Sequence, residues 1–247
     1  MISHSNRWRR ALTAIVLVVA SGVASAAPAG AQERRVYSPP DLTTVRAIST
    51  EHGMVVAQEK IAAQFGADIL RQGGNAVDAA VATGFALAVT YPRAGNIGGG
   101  GFMMIHSTER NEDIAIDYRE TAPSAASREM YLGADGKPDT DKSRNSALGI
   151  GVPGTVAGLA LALEKYGSGQ FTLAQIIKPA IELARNGFVV ADDMADTLPD
   201  LYRRMARWPN SAKAFSRADG TPLHDGDRLV LLEHGTDPVS ISDVANF

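Results

Sequence analysis

The segment NAVDAAVATGFALAVTYPRAGNIGGGGFMMI, residues 75–105, carries the patterns from which the fold can be predicted. Asn75 and Asp78 have the spacing of a helical capping box, and the small residues after them favour a helix that packs closely on its neighbours. Pro92 should end this helix, because the residue before a proline is pushed out of the α region. Four consecutive glycines, residues 98–101, then lead into an apolar run. We therefore predict a central helix, a glycine loop and a buried strand.

An amphipathic helix is predicted to precede this segment. From Lys60 onward, Ile61, Phe65 and Ile69 are spaced as i, i+4 and i+8, which places them on one helical face. The glycine pair at residues 73–74 should end the helix. Two successive helices therefore precede the glycine loop.

A β-hairpin is predicted after the glycine loop. Residues 101–106 (GFMMIH) and residues 113–118 (DIAIDY) are apolar runs, separated by a polar turn at residues 108–112 (TERNE). The apolar character of residues 101–106 predicts a buried strand.

The second half of the chain is predicted to be mainly helical. Gly167 should end one helix, Pro179 fits the first turn of another, and residues 186–187 (NG) should close it. Residues 133–143 (GADGKPDTDKS) predict a solvated loop. The predicted helices are residues 155–166, 178–185 and 191–205.

The composition is that of a folded protein, and its net charge does not favour binding to nucleic acid. The chain has 247 residues, of which 45% are hydrophobic and 21% are charged, so it can bury a core. The 24 basic and 27 acidic residues give a net charge of -3, which disfavours binding to nucleic acid or anionic lipid. The chain has no cysteine, which excludes disulfides, thiolate metal sites and cysteine nucleophiles.

The N-terminus has the composition of a secretory signal peptide. Residues 4–10 (HSNRWRR) are basic, residues 11–20 (ALTAIVLVVA) are apolar, and A-x-A spacings follow at residues 24–26 and 29–31. A membrane anchor is the alternative, but the apolar run is shorter than the roughly 20 residues that span a bilayer. We expect a signal peptide at residues 1–31.

Export would place the mature protein in the periplasm or the medium, without membrane attachment once the signal is removed. The pair Arg9 and Arg10 allows twin-arginine export, although the pair alone is a weak signal. Residues 32–44 (QERRVYSPPDLTT) then form a polar lead-in to the folded domain.

Known catalytic and cofactor motifs are absent from the sequence. The glycine run has no Gly-Lys-Ser/Thr after it and no G-x-G-x-x-G can be placed on it, which argues against nucleotide binding. No G-x-S-x-G is present, and the histidines lack the spacing of metal ligands. We predict no cofactor, no metal and, from motifs alone, no catalytic residue. The histidines are His4, His52, His106, His224 and His234.

Four ordered segments resemble the γ-glutamyltranspeptidase (glutathione hydrolase) family. The first is residues 69–105, ILRQGGNAVDAAVATGFALAVTYPRAGNIGGGGFMMI. The others are DYRETAPSAASREMYL at residues 117–132, GVPGTVAGLALALEKYG at residues 151–167 and KPAIELARNGF at residues 178–188. The resemblance extends roughly from residue 53 to residue 230.

The resemblance implies an α+β fold with the four-layer αββα architecture of N-terminal-nucleophile (Ntn) hydrolases. We expect this chain to hold only the N-terminal part of that fold, at residues 45–230. The family is made as a precursor, a zymogen that cuts itself into a large and a small subunit. The new N-terminal threonine of the small subunit is the nucleophile, and its own amine serves as the base.

The chemistry implied by the resemblance is γ-glutamyl transfer. The γ-glutamyl group of glutathione or another γ-glutamyl amide passes to the threonine, and then to water, an amino acid or a peptide. The arginine of the family's D-[YF]-R-E segment, here Arg119, binds the α-carboxylate of the glutamyl group, because a guanidinium can meet a carboxylate with two parallel hydrogen bonds. On spacing alone, Arg119 would be a surface ion-pair partner of small energetic value.

The resemblance also bears on the glycine run. It places residues 98–101 at the entry to a core strand, so we expect close backbone packing near the substrate cleft. Direct contact between these glycines and the substrate is the alternative.

Two departures from the family pattern affect the expected activity. The Thr-Thr-His type motif that opens the small subunit is not found, and the nearest match is Thr43-Thr44-Val45 near the predicted mature start. Residues 231–247 (LLEHGTDPVSISDVANF) do not resemble the family's continuation and form a divergent tail. We therefore expect a shortened or frameshifted product that is inactive alone. The alternative to an enzyme is a non-catalytic truncated product or a module that binds γ-glutamyl compounds.

Export predicts a specific mature N-terminus. If residues 1–31 include the signal, the periplasmic protein should begin near Ala27 or Gln32, because small residues before those positions suit the signal peptidase. N-terminal sequencing of the periplasmic and cytoplasmic fractions checks this. Met1 retained on a soluble cytoplasmic protein would contradict export.

Overall fold

The computed structural model describes Thr43, residues 46–95 and residues 97–231. The chain divides into two units, residues 1–49 and residues 50–247, and the helices and strands named below lie in the second. The predicted signal peptide, most of the polar lead-in and nearly all of the divergent tail lie outside the described residues. The predicted domain boundaries therefore stay predictions.

Helices dominate the described part of the second unit, with two short antiparallel strand pairs. The helices are α1 (Lys60–Arg71), α2 (Ala76–Thr90), α3 (Thr140–Asn145), α4 (Thr155–Tyr166), α5 (Leu173–Asn186), α6 (Asp192–Met205) and α7 (Pro209–Ala214). The strands are β1 (Phe102–Ser107), β2 (Glu112–Asp117), β3 (Phe188–Val189) and β4 (Arg228–Leu229). No helix of the described residues is long and apolar enough to cross a membrane.

Helix α2 is the centre of the packing, as predicted. Ten of its 15 residues are buried, and α1, α4 and α5 all pack against it. A helix that is apolar around its whole circumference belongs in the interior. Small residues permit close contact with the neighbours: a Cβ atom on Gly84 would lie 3.2 Å from Leu159 of α4, and one on Gly66 of α1 would lie 2.3 Å from Thr83 of α2.

The predicted capping box at the start of α2 is confirmed. The Asn75 side chain accepts hydrogen bonds from the backbone N–H groups of Val77 (2.9 Å) and Asp78 (3.0 Å), and the Asp78 carboxylate accepts one from the Asn75 N–H (2.8 Å). Asp78 is fully buried and also accepts from the Ser168 N–H, 3.2 Å from each oxygen. The Asn75 amide donates to the Tyr166 carbonyl at 2.8 Å. The box therefore joins the start of α2 to the end of α4.

The predicted hairpin is present, with each strand displaced by one residue. Strands β1 and β2 are antiparallel, with Met104 opposite Ala115. At the turn, Arg110 donates to the Lys165 carbonyl at 3.0 Å and its guanidinium lies 5.1 Å from the centre of the Tyr166 ring. A cation is favourable at the C-terminus of α4, because unpaired carbonyls collect there.

The prediction that the first strand is buried was wrong for one of its faces. Phe102 is 62% exposed and Met104 is 73% exposed, whereas Met103 and Ile105 pack against the core. A run of apolar residues does not distinguish a strand covered on both faces from one covered on a single face. Because Phe102 and Met104 alternate with the packed residues, they share one face of the hairpin, and the described residues leave that face open.

The predicted start of α5 was also wrong. The helix begins at Leu173, and Pro179 lies in its interior instead of its first turn. A capping box between Thr172 and Gln175 starts the helix, and burial of Ile176 and Ile177 stabilises it around the proline. The predicted end is confirmed, because Gly187 caps the helix with a φ of 73°.

The remaining predictions are confirmed with small changes. Helix α4 has the predicted bounds, and α6 begins one residue later than predicted, with Pro199 inside it. The predicted loop at residues 133–143 is interrupted by α3, which Asp139 caps through the N–H groups of residues 141 and 142. Strands β3 and β4 are too short for the sequence pattern to have indicated them.

We predict that Asp78→Ala lowers the free energy of unfolding of the 247-residue chain by about 2 to 3 kcal/mol. The change removes a helix cap and leaves the partly buried N–H groups of Asn75 and Ser168 without their acceptor. Urea unfolding followed by circular dichroism measures it. Asp135→Ala is the control, because that exposed carboxylate bonds only within its own turn. A loss below about 0.5 kcal/mol for Asp78→Ala would contradict the assigned role.

Candidate substrate-binding site

Three segments from different parts of the chain meet beside the hairpin. They are the glycine run at residues 98–101, residues 118–121 directly after β2, and residues 151–158 at the start of α4. Gly101 and Tyr118 extend the hairpin ladder, because the Tyr118 N–H donates to the Gly101 carbonyl at 3.0 Å and the Gly101 N–H donates back at 3.3 Å. The predicted binding residue, Arg119, is next in the chain.

The start of α4 is joined to both neighbouring segments. Gly154 precedes α4 and has no side chain with which to cap it. The Gly99 carbonyl accepts instead from the N–H groups of Gly154 (2.9 Å) and Thr155 (3.0 Å). Thr121 and Val152 exchange a pair of backbone hydrogen bonds at 3.2 and 2.8 Å. Residues 118–121 are therefore held between the glycine run and the segment that leads into α4.

Glycine is required at these positions because another part of the chain lies against them and leaves no room for a side chain. A Cβ atom on Gly100 would lie 2.6 Å from both the Tyr118 carbonyl oxygen and the Glu120 nitrogen. A Cβ atom on Gly154 would lie 2.1 Å from the same Tyr118 oxygen, and one on Gly158 would lie 2.2 Å from the Tyr118 ring. Real Cβ contacts of this length do not occur, so any larger residue requires the backbone to move. The prediction of close backbone packing is confirmed for this part of the glycine run.

Arg119 lies on the exposed side of this assembly. Its backbone N–H donates to the Asp117 carboxylate at 3.0 Å, and its Nε donates to the Glu120 carboxylate at 2.9 Å. The side chain is 66% exposed. The surface ion pair that the spacing predicted is therefore present, and an exposed pair of this kind contributes little stability. Among the described residues, the hydrogen bonds of the guanidinium use Nε alone, so its two terminal nitrogens remain for a ligand.

The Glu120 carboxyl is ionised at lower pH than an ordinary glutamate. The pKa of the Glu120 carboxyl lies below its ordinary value, because its own backbone N–H and then the Arg119 guanidinium donate hydrogen bonds to the charged form. The Gly100 N–H adds a smaller contribution of the same sign. A lowered pKa means that the carboxylate is still ionised under mildly acidic conditions, so the pair with Arg119 is lost only as the pH falls through that lowered value.

Other polar groups that the sequence singled out lie away from Arg119 and do not form a metal site. His106 contacts Asp113 across the hairpin at 2.7 Å, with both side chains exposed. The backbone N–H of His224 donates to Asp227 at 2.7 Å, and Asp227 also pairs with Arg217. Within residues 46–95 and 97–231, no three histidine or acidic side chains are grouped as metal ligands would be.

The contribution of Tyr118, Gly154 and Gly158 to this site is not predicted by the sequence analysis above. A sequence signal for it exists, because glycines four residues apart lie on one face of a helix start and allow close approach there. The spacing does not say which residue approaches. The structure shows that it is the residue directly before Arg119.

Comparison with known proteins agrees with this arrangement. Residues 62–236 match the family model for gamma-glutamyltranspeptidase. The glutathione hydrolase proenzyme of Escherichia coli (strain K12) is 50% identical over 183 residues, which cover 74% of this chain and 31% of that protein. The glutathione hydrolase proenzyme of Bacillus subtilis (strain 168) is 37% identical over 225 residues, covering 90% of this chain and 37% of that protein. The chain thus spans about a third of the length of these relatives.

A solved structure supports the same relationship. The γ-glutamyltranspeptidase of Helicobacter pylori superposes with a TM-score of 0.71 and 39% identity, over 81% of this chain and 54% of that chain. The predicted α+β class and the Ntn-hydrolase fold, of which this chain carries a part, are confirmed by this similarity. On the match across residues 62–236 and the shared fold, the chain belongs to the γ-glutamyltranspeptidase family.

Proposed function

We propose that this chain supplies the glutamyl-binding part of an exported γ-glutamyl hydrolase and transferase. The substrates are glutathione and other γ-glutamyl amides, and the acceptors are water, amino acids and peptides. The observation that carries the proposal is the position of Arg119, whose neighbours in the chain are anchored while its terminal nitrogens remain without a hydrogen bond to the described residues. The 50% identity to the glutathione hydrolase proenzyme of Escherichia coli supports the choice of substrate class.

Arg119 has the chemistry that recognition of an α-carboxylate requires. A guanidinium is charged at every working pH and offers parallel N–H groups that match the two oxygens of a carboxylate. The pair with Glu120 uses the Nε side of the guanidinium, which leaves the edge formed by Nη1 and Nη2 for the substrate. Binding the carboxylate at this edge orients the glutamyl group and sets the distance from Arg119 to the γ-amide bond.

The covalent step is assigned to the N-terminal threonine of the small subunit, as the family resemblance implies, and no residue of this chain is assigned to it. A threonine hydroxyl is a weak nucleophile that gains reactivity from an adjacent base, here its own α-amine. The contribution of this chain is to bind and orient the γ-glutamyl group for that attack.

The small subunit is the proposed partner of the open face of the hairpin. Phe102 and Met104 lie on that face and are largely exposed, and Asp117, directly opposite Phe102, leads to Arg119. An apolar sheet face gains free energy when another surface removes it from water. Covering this face would also lower the dielectric constant near Arg119, which strengthens its attraction for a carboxylate. The relatives' name, proenzyme, fits a precursor that provides both parts.

The proposed location is the periplasm or the medium. It is supported by the basic segment, the apolar run and the A-x-A spacings within residues 1–31. No cofactor is proposed.

We predict that Arg119→Ala, in a full-length precursor that carries this sequence, lowers kcat/KM for a γ-glutamyl anilide by about 30- to 1,000-fold. This corresponds to about 2 to 4 kcal/mol, the range for removing one partner of a buried charged pair. Arg119→Lys should fall between Arg119→Ala and the parent, because lysine keeps the charge but not the paired donors. Steady-state kinetics measures both variants.

The control for this experiment is Arg128→Ala, which removes an exposed arginine from the loop beyond the site and should leave the kinetics unchanged. Self-cleavage into two subunits, followed on a gel, should be normal in every variant, since Arg119 is assigned to substrate binding alone. If kcat/KM of Arg119→Ala stays within about threefold of the parent, Arg119 is only a surface ion-pair partner. A parent that binds γ-glutamyl compounds without turning them over would favour the non-catalytic alternative.

A further inference from the structure

We propose that Tyr118 is a positioning residue for Arg119. Gly154, directly before α4, and Gly158, in its first turn, form the surface against which Tyr118 packs. In this arrangement the Tyr118 ring fixes the backbone from which the guanidinium projects. The inference rests on the proposed role of Arg119 in binding the substrate carboxylate. It assigns to Tyr118 an effect on substrate recognition without any contact with the substrate.

The Tyr118 ring is held between α4 and the start of the hairpin. A Cβ atom on Gly158 would lie 2.2 Å from the ring carbon Cγ and 2.5 Å from Cδ1, and one on Gly101 would lie 2.9 Å from Cε2. The hydroxyl donates to the Phe102 carbonyl at 3.4 Å. Burial raises the pKa of the Tyr118 hydroxyl further above physiological pH, where the hydroxyl of an ordinary tyrosine is already neutral and able to donate. Ring and hydroxyl both contact backbone, which restricts the position of the side chain.

The main chain of Tyr118 is held as closely as its ring. Its N–H and carbonyl both pair with Gly101, and its carbonyl oxygen lies against the backbone of Gly100 and Gly154. Thr121 is anchored in turn by its two hydrogen bonds to Val152. Only residues 119 and 120 lie between these anchors. Because successive Cα atoms are about 3.8 Å apart, so short a segment has little freedom once both ends are fixed.

Gly154 and Gly158 can both contact Tyr118 because they are one helical turn apart. Residues at i and i+4 lie on the same face of a helix, and here that face meets Tyr118. Gly154 receives the Tyr118 carbonyl and Gly158 receives its ring, so α4 contacts both the main chain and the side chain of one residue. The backbone position of Arg119 therefore depends on the position of α4, because Tyr118 contacts α4 and precedes Arg119 in the chain.

Loss of the ring should consequently weaken substrate binding more than folding. A displacement of a binding group by about 1 Å can reduce the rate of an enzyme by as much as about 100-fold. Tyr118→Ala removes the ring but keeps the backbone pairing with Gly101, so we expect a partial displacement of Arg119. A residue that contributes only to stability would not act through Arg119 in this way.

The test is a double-mutant cycle between Tyr118→Ala and Arg119→Ala in the full-length precursor, with a γ-glutamyl anilide as substrate. We expect Tyr118→Ala alone to lower kcat/KM about tenfold, mainly through a higher KM. In the Arg119→Ala background the same change should lower kcat/KM by less than about twofold, because the group being positioned is absent. Tyr118→Phe keeps the ring and should remain within about threefold of the parent. Self-cleavage and thermal unfolding report on folding in each variant.

A second variant tests the same contact from the other side. Gly158→Ala places a methyl group where the Tyr118 ring lies, so the ring must move, and we expect the same loss of kcat/KM and the same dependence on Arg119. This variant decides the question if Tyr118→Ala fails to fold.

The outcomes separate this inference from the proposed function. If Tyr118→Ala and Gly158→Ala leave kcat/KM within about twofold of the parent, or if their losses multiply fully with that of Arg119→Ala, the positioning role is wrong while the role of Arg119 stands. If Arg119→Ala itself has no effect, the carboxylate-binding proposal fails and the positioning role fails with it. A reduced loss in the Arg119→Ala background supports both.

Discussion

The burial of most of α2, ten of its 15 residues, is the constraint on which the rest of the described structure depends. A helix in the interior cannot use water to satisfy the free N–H groups of its first turn, so these groups need partners within the protein. Asn75 and Asp78 provide them. Asp78 is itself fully buried, and it accepts a further hydrogen bond from Ser168 just beyond α4. The group that caps α2 therefore also binds the segment directly after α4.

Helix α4 connects the start of α2 to the candidate site. Its C-terminus is held by Asn75 and by Arg110 of the hairpin turn, and its N-terminus is capped by the carbonyl of Gly99 in place of a side chain. The capping by Gly99 brings Gly154 and Gly158 against Tyr118. Packing in the core and geometry at the site are thus connected through one rigid helix. Gly154 and Gly158 at the start of α4 and Gly167 at its end lie in close contact with other atoms. This contact explains why glycine is found there despite its low preference for ordered structure.

The site combines a rigid backbone with an exposed functional group. Arg119 lies between two anchored positions, yet its side chain is 66% exposed, and Arg119 donates hydrogen bonds to its close neighbours in the chain, Asp117 and Glu120. Such a surface suits a group that meets its ligand only when a second surface covers it, because the same contact that excludes water also strengthens the charge interaction. This agrees with the proposal that this chain binds the substrate and the small subunit supplies the nucleophile.

The family resemblance in the sequence led to the proposal that Arg119 binds the substrate. The sequence by itself determined the local features of this protein: the capping box at Asn75, the bounds of α4 and the hairpin. These depend on residues close together in the chain, whose preferences are readable without the fold. The tertiary structure decided that Pro179 lies inside a helix, that Phe102 is exposed and that the glycine run packs against Tyr118. Each of these depends on which distant segments meet. Spacing in a sequence shows where close approach is possible, but only the packed structure shows what approaches.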